Sequence, residues 1–195
     1  MKGASVLYFA RHGETDWNAA GRWQGQTDIP LNDTGRAQAR ALAARLRATG
    51  IRAIGSSDLA RARETAEIVA RELGLPLGPA DAAFRERAYG IFEGLTPAEC
   101  VARYPEAWER FEEDPRDPPT GVEPLGSLAG RMLIGLRRAA ETLETPALVV
   151  SHGRAIRTLA SLVTGHPVPP IANGGVYRFA LVNGAPVEAG PALEG

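Results

Sequence analysis

Arg11-His12-Gly13-Glu14-Thr15 and Ser151-His152-Gly153 each set a histidine between an apolar run and a glycine. The runs ahead of them, Val6-Leu7-Tyr8-Phe9-Ala10 and Ala147-Leu148-Val149-Val150, have the length and composition of buried strands in a parallel sheet. Open α/β sheets bind ligands just beyond the carboxyl ends of their strands. Two of the three histidines therefore fall where such a fold keeps its chemistry. An imidazole beside arginine and glycine suits in-line attack on phosphorus, because Arg11 offers planar donors to phosphate oxygens and Gly13 lets the backbone approach an anion. Taken singly, the triplet is equally compatible with a turn histidine that bonds its neighbours. His166, between Gly165 and Pro167, reads as a helix-end residue.

The elements that must position these groups can be read from capping residues and apolar spacing. Asn32-Asp33-Thr34 opens a helix running to about Gly50, with Leu42 and Leu46 on one face. Ile51 to Gly55 is a weak strand. Ser57 or Asp58 is expected to cap a second helix that carries Leu59, Ala62, Ala66, Val69 and Leu73 and stops at Gly74. Residues 75–95 read as irregular, and two short helices occupy 97–113. A proline-rich stretch from Pro115 to Pro124 follows.

Leu128, Met132, Leu136 and Leu143 mark a third helix, closed by Pro146. Ile156, Leu159, Ala160 and Val163 mark a fourth, ending at Gly165. Val176 to Val182 reads as a last, antiparallel edge strand. The alternation predicts a three-layer α/β/α sandwich with a mostly parallel sheet, one domain over residues 1–195. A small lid insertion, about 96–124, is expected over the strand carboxyl ends.

Bulk properties narrow the function. Of 195 residues, 44% are hydrophobic and 23% charged, with net charge −1, a soluble globular profile without attraction for nucleic acid or anionic membrane. Lys2 is the one lysine, so cationic work falls to arginine, the better bidentate phosphate ligand. Cys100 stands alone, which rules out an internal disulfide and favours a reducing compartment; a cytoplasmic location is expected. No apolar run reaches the roughly 18 residues of a membrane span, and the first apolar run is too short for a signal peptide.

Other phosphate chemistries fit poorly. Arg103 follows Cys100 too closely for a cysteine-dependent phosphatase, no Gly-Lys pair exists for a P-loop, and the histidines lie too far apart for a metal cluster.

Further motifs join the first. Trp17-Asn18, then Gly25, Asp28 and Leu31, follow the first histidine, and Ser57-Asp58-Leu59-Ala60-Arg61-Ala62 with Thr65-Ala66 opens the second helix. Arg85-Glu86, Tyr89-Gly90 and Glu93-Gly94 precede Ser151-His152-Gly153. In this order the chain resembles the histidine phosphatase superfamily, in the branch that includes cofactor-dependent phosphoglycerate mutases, from about residue 5 to 165.

The resemblance implies that His12 is the nucleophile that becomes phosphohistidine. Arg11, Arg61 and His152 would surround the transferring phosphoryl oxygens, Asn18 would add a neutral donor, and Gln24 and Gly25 would make further substrate contacts. Glu86 would protonate the leaving oxygen and then deprotonate water, giving a bell-shaped pH profile. Glu93 is a competitor for that role. Arg87, Tyr89 and Gly153 match further substrate-contact positions, whereas Arg63 reads as a surface residue. Trp108, Arg110, Phe111 and Arg116 read either as pocket residues or as packing and surface residues.

Mutase and phosphatase differ in what accepts the phosphoryl group. The mutases of the family carry a longer, more basic insertion, whereas Thr96 to Glu123 here is short and carries more acidic than basic residues. Hydrolysis of a small phosphorylated metabolite, with no cofactor or metal, is therefore expected. A mutase primed by 2,3-bisphosphoglycerate is the alternative, and a non-catalytic phosphate-binding protein is disfavoured because His12, Arg61, Glu86 and His152 are all retained. Gly121-Val122-Glu123-Pro124 lacks the serine that often caps the third helix in related phosphatases, which moves the expected cap to Ser127. A homo-oligomer is compatible with the sequence.

Overall fold

A computed structural model describes residues 4–114 and 118–193. Strands β1 (Ala4–Arg11), β2 (Ala53–Ser56), β3 (Leu77–Ala80), β4 (Ala147–Ser151), β5 (Val176–Val182) and β6 (Ala185–Ala192) form a sheet in the order β3-β2-β4-β1-β5-β6. The first four strands pair in parallel; β5 and β6 pair antiparallel to their neighbours. Alternation of side chains along β1 and β4 feeds two cores. Leu7, Phe9 and Val149 pack with α6 (Leu125–Thr142) and α7 (Gly153–Thr164). On the opposite face Ala10, Leu148 and Val150 pack with α2 (Asp33–Leu46) and α3 (Ala60–Leu73). The expected three-layer sandwich is therefore present.

Two expectations about the sheet need correction. Residues 75–95 are not wholly irregular, because Leu77–Ala80 pairs with β2. The β5 strand is not the edge: an Asn183-Gly184 turn, both residues at positive φ, folds β6 back along it. With Pro186 and Pro191 in its eight residues, β6 has weak strand propensity and forms through tertiary pairing at the sheet margin, where proline is tolerated.

The helix caps also differ from expectation. The backbone at Leu59 rather than Ser57 or Asp58 caps α3, and the Asp28 carboxylate from a distant loop accepts from Ala60 N at 2.7 Å. Pro124 rather than Ser127 precedes α6.

Residues after β1 run through the short helix α1 (Asp16–Ala19) to α2 on one face of the sheet, while β4 runs directly into α7 on the other. Adjacent parallel strands whose chains leave in opposite directions open a crevice at their carboxyl ends. The lid stands beside it. Its helices α4 (Pro97–Arg103) and α5 (Pro105–Glu113) share a small core of Phe92, Cys100, Trp108 and Phe111, against which Trp23 packs. At its neck the chain enters and leaves at one point, since a Cβ on Gly90 (φ +53°) would sit 2.6 Å from the Gly121 carbonyl oxygen. Next to it Glu123 N donates to Ala88 O at 2.9 Å. Arg116 lies outside the described residues.

Candidate active site

The register of β1 against β4 pairs Arg11 with Ser151, so the residues that follow, His12 and His152, emerge side by side. Their ring centroids lie 5.1 Å apart, and His12 N donates to Ser151 O at 3.0 Å. Both rings are buried. His12 Nδ1 is 2.7 Å from Gly13 O. A carbonyl only accepts, so Nδ1 carries the proton and Nε2 the lone pair. Arg61 Nε faces that lone pair at 3.3 Å. Burial, then the charges of Arg61 and Arg11, holds His12 well below the ordinary 6.5, which keeps the imidazole neutral. His152 is held down in the same direction by burial, then by Arg61 and His12. Neither nitrogen of His152 has a hydrogen-bond partner among the described residues, and the same is true of Arg11 Nε. A ligand entering the crevice would satisfy these buried polar atoms.

Arg61 is fully buried in the first turn of α3. Its two terminal nitrogens donate to Thr27 O at 2.9 Å and Gly25 O at 2.7 Å, which aims the guanidinium at His12. Burial pulls its pKa down to about 10, still charged at neutral pH. The loop supplying those carbonyls is itself held by Glu93, whose carboxylate accepts from Gln26 N, Thr27 N, Thr27 Oγ1 and Tyr89 N. Glu93 is thus a scaffold for Arg61 rather than a competitor for proton transfer. Gly25 is needed at φ +55° because a Cβ there would lie 2.0 Å from Glu93 Oε1.

Glu86 presents its carboxylate to three backbone amides. Oε1 accepts from Arg87 N (2.8 Å) and Ala155 N (2.9 Å), and Oε2 accepts from Arg154 N (3.1 Å). His152, the residue before α7, gives that helix no side-chain cap, so Glu86 takes the place of one from outside. The segment bearing Glu86 is fixed by Arg131 of α6, which donates to the carbonyls of Ala83, Arg85 and Glu86 and makes a two-pronged ion pair with Glu123.

A cavity of about 330 Å³ opens in the crevice. Arg11, His12, Asn18, Gln24, Gly25, Arg61, Glu86, Tyr89 and Gly153, all singled out in the sequence, line it. The absence of a side chain at Gly153 lets Arg11 pass, since a Cβ would meet its Cδ and Nε at 3.3 Å.

Two expected contacts take other parts. The Gly13 amide donates to Thr65 Oγ1, and a Cβ there would lie 2.3 Å from Gly35 O, so this glycine allows α2 to approach β1 closely. Arg87 turns away from the cavity, donating to Glu123 O and lying 5.2 Å from the Phe111 ring centre. Trp108 and Phe111 are lid core, Arg110 is exposed, and Arg63 pairs with Glu67 at the surface. Burial pushes the Cys100 thiol up, consistent with packing rather than reactivity.

Sequence reasoning missed Arg22, Arg154 and Arg157 in the cavity wall, and Asn173, which donates to His12 O at 2.9 Å. For Arg154 and Arg157 a signal existed, since they lie three apart on the side of α7 opposite its buried Ile156 and Leu159.

Neutral His12 Nε2 beside buried guanidinium groups, with a carboxylate in the same cavity, can attack an electrophilic phosphorus and exchange a proton with its leaving group. The family model described as histidine phosphatase superfamily (branch 1) matches residues 7–187. Phosphoglycerate mutase-like protein 4 of Arabidopsis thaliana is 38% identical over 184 residues, covering 91% of this chain and 80% of that protein. A Bacillus subtilis protein named uncharacterized phosphatase PhoE is 38% identical over 162 residues, covering 83% and 78%. The structure of Bacillus stearothermophilus YhfR superposes with a TM-score of 0.83 at 32% identity, covering 93% of each chain.

Proposed function

The chain belongs to branch 1 of the histidine phosphatase superfamily and is a phosphoryl-transfer enzyme, and we propose that it hydrolyses a small phosphomonoester through phosphohistidine at His12, without metal or cofactor. The observation that carries this reading is the orientation of His12: its Nδ1 proton is committed to Gly13 O, which leaves Nε2 as a lone pair facing Arg61.

In the first step the phosphoryl oxygens take donors from Arg11, Arg61, Asn18 and His152, and Nε2 attacks phosphorus in line. The bond from phosphorus to the leaving oxygen breaks as Glu86 delivers a proton to it, releasing the alcohol. In the second step Glu86 takes a proton from water, whose oxygen attacks the phosphohistidine. Inorganic phosphate leaves and His12 is restored. Gln24, held through Thr15 Oγ1 at 3.0 Å, and Tyr89 complete the wall of the site.

Hydrolysis is favoured over isomerisation by what the lid brings to the cavity. Among the described residues 96–124 contribute Pro97 alone to its lining, so the lid brings little that would shield phosphohistidine from water, which a mutase must do. The test is phosphate release from p-nitrophenyl phosphate and 3-phosphoglycerate in EDTA, with and without 2,3-bisphosphoglycerate. Release that survives the chelator and vanishes in His12→Ala is expected. Bisphosphate-dependent formation of 2-phosphoglycerate with little release would make the chain a mutase, and loss of activity in EDTA would overturn the metal-free mechanism.

A further inference from the structure

The cavity holds more positive charge than phosphoryl transfer uses. Five arginines line it against one carboxylate, Glu86. Arg11 and Arg61 flank the histidines, and Arg22 is neutralised by Glu99 of α4 at 2.6 Å. Arg154 and Arg157 remain. Both stand in the first turns of α7, where the helix dipole opposes a cation. Neither forms an ion pair with a carboxylate among the described residues. Arg157 Nε donates to Val168 O at 2.9 Å, and the Arg154 side chain lies close to the Tyr89 hydroxyl. The carboxylate of Glu86 lies nearby but is engaged by main-chain amides. Each guanidinium also repels the other, which adds to burial in pulling Arg157 below its ordinary value.

Two adjacent half-buried guanidinium groups without an ion-pair partner among the described residues, set in the wall of a substrate cavity, are stabilised when a ligand supplies an anion within contact distance. We propose that the substrate carries a second anionic group, carboxylate or phosphate, on its leaving-group side, and that Arg154 and Arg157 bind it. This rests on the phosphatase reading of the same cavity and extends it to a substrate class. Neutral sugar and alkyl monophosphates satisfy only half of the site.

Equilibrium binding to the His12→Ala enzyme separates recognition from turnover. Titration calorimetry compares 3-phosphoglycerate with glycerol 3-phosphate, which differ by a carboxylate against a hydroxymethyl group. A second pair compares fructose 1,6-bisphosphate with fructose 6-phosphate. At least tenfold tighter binding of the doubly anionic member is expected in one pair, and which pair shows it tells carboxylate from phosphate. Adding Arg154→Gln and Arg157→Gln brings that preference to within twofold of unity.

Equal binding within both pairs overturns the proposal, as does a preference that survives both substitutions. Circular dichroism checks the fold of each variant, and Arg63→Gln, at the surface of α3, serves as the charge-loss control that retains the preference. If the unsubstituted enzyme releases no phosphate yet the binding preference holds, the phosphatase reading fails and the anion subsite stands.

Discussion

Replacing Arg131 with Met tests whether one half-buried guanidinium organises the acid–base residue. Arg131 gives Nε and one Nη to the Glu123 carboxylate at 2.7 and 2.8 Å, and three donors to the carbonyls of Ala83, Arg85 and Glu86 at 2.9, 2.6 and 2.8 Å. Methionine preserves much of the aliphatic stem but removes all five bonds and leaves Glu123, only 14% exposed, with the weak Ala88 amide contact. Removing one partner of a buried pair costs 3–5 kcal/mol, and because the Arg131 side chain keeps 21% of its exposure, the lower end applies, about 3 kcal/mol. For a chain of this size that lowers Tm by roughly 6–12 °C.

Glu123→Gln together with Arg131→Met restores about 1–2 kcal/mol of the loss, because no buried charge is then left over. Differential scanning calorimetry and urea titration read both values. The functional consequence is specific: with the Glu86 segment loosened, kcat for an alkyl phosphate falls about tenfold more than kcat for p-nitrophenyl phosphate, whose leaving group needs little protonation. A Tm within 2 °C of the parent (roughly the effect of a surface substitution), or equal losses on both substrates, refutes the reasoning.

Three further outcomes are expected. Glu86→Gln lowers kcat/KM on alkyl phosphates by about 10²–10⁴ but spares p-nitrophenyl phosphate in large part; equal losses would move the acid role elsewhere. Because His12 and His152 are held below 6.5 in the folded state, the unfolded chain binds more protons as pH drops under that value. Stability therefore falls with acidification from about pH 6.5 by as much as roughly 2.7 kcal/mol per pH unit for the pair. Added phosphate reduces that loss by favouring the protonated rings, and a Tm that stays flat between pH 7 and 5 contradicts the assignment. Gly25→Ala forces φ +55° on a residue with a Cβ and displaces the Glu93 carboxylate, costing about 3 kcal/mol in urea unfolding; an effect below about 0.5 kcal/mol would show that the loop re-forms freely.

How much of this was legible in the sequence depended on whether the information was local. The strands bearing His12 and His152 are buried on both faces, so their apolar runs announced them. Glu86 and Arg61 were found through motif resemblance, because an isolated carboxylate or a first-turn arginine looks like any solvated residue. The strand β6 was missed because Ala185–Ala192 owes its conformation to pairing with β5, although Asn183-Gly184 was a usable hairpin signal. Caps at Ser57 and Ser127 were expected from short-range rules. Asp28, 32 residues away from Ala60, does the work at α3, and no local pattern reveals that. Arg87 was assigned to the substrate by position alone, and the aromatic lid core drew it away.

Apart from Glu93, which holds the loop behind Arg61, the excursion closed at Gly90 and Gly121 is a part that can be exchanged, whereas the sheet must be inherited intact. Inserting one residue into β1 or β4 would invert the pleat beyond it and turn one imidazole from the crevice. The lid is under no such constraint: its two ends already touch, so its ring is closed whatever its length, and doubling that length costs only about 0.6 kcal/mol in closure entropy. Lineages could therefore lengthen, shorten or transplant the excursion beyond Glu93 to explore new leaving groups, with Glu93 and the phosphoryl-transfer apparatus beneath it carried forward unaltered.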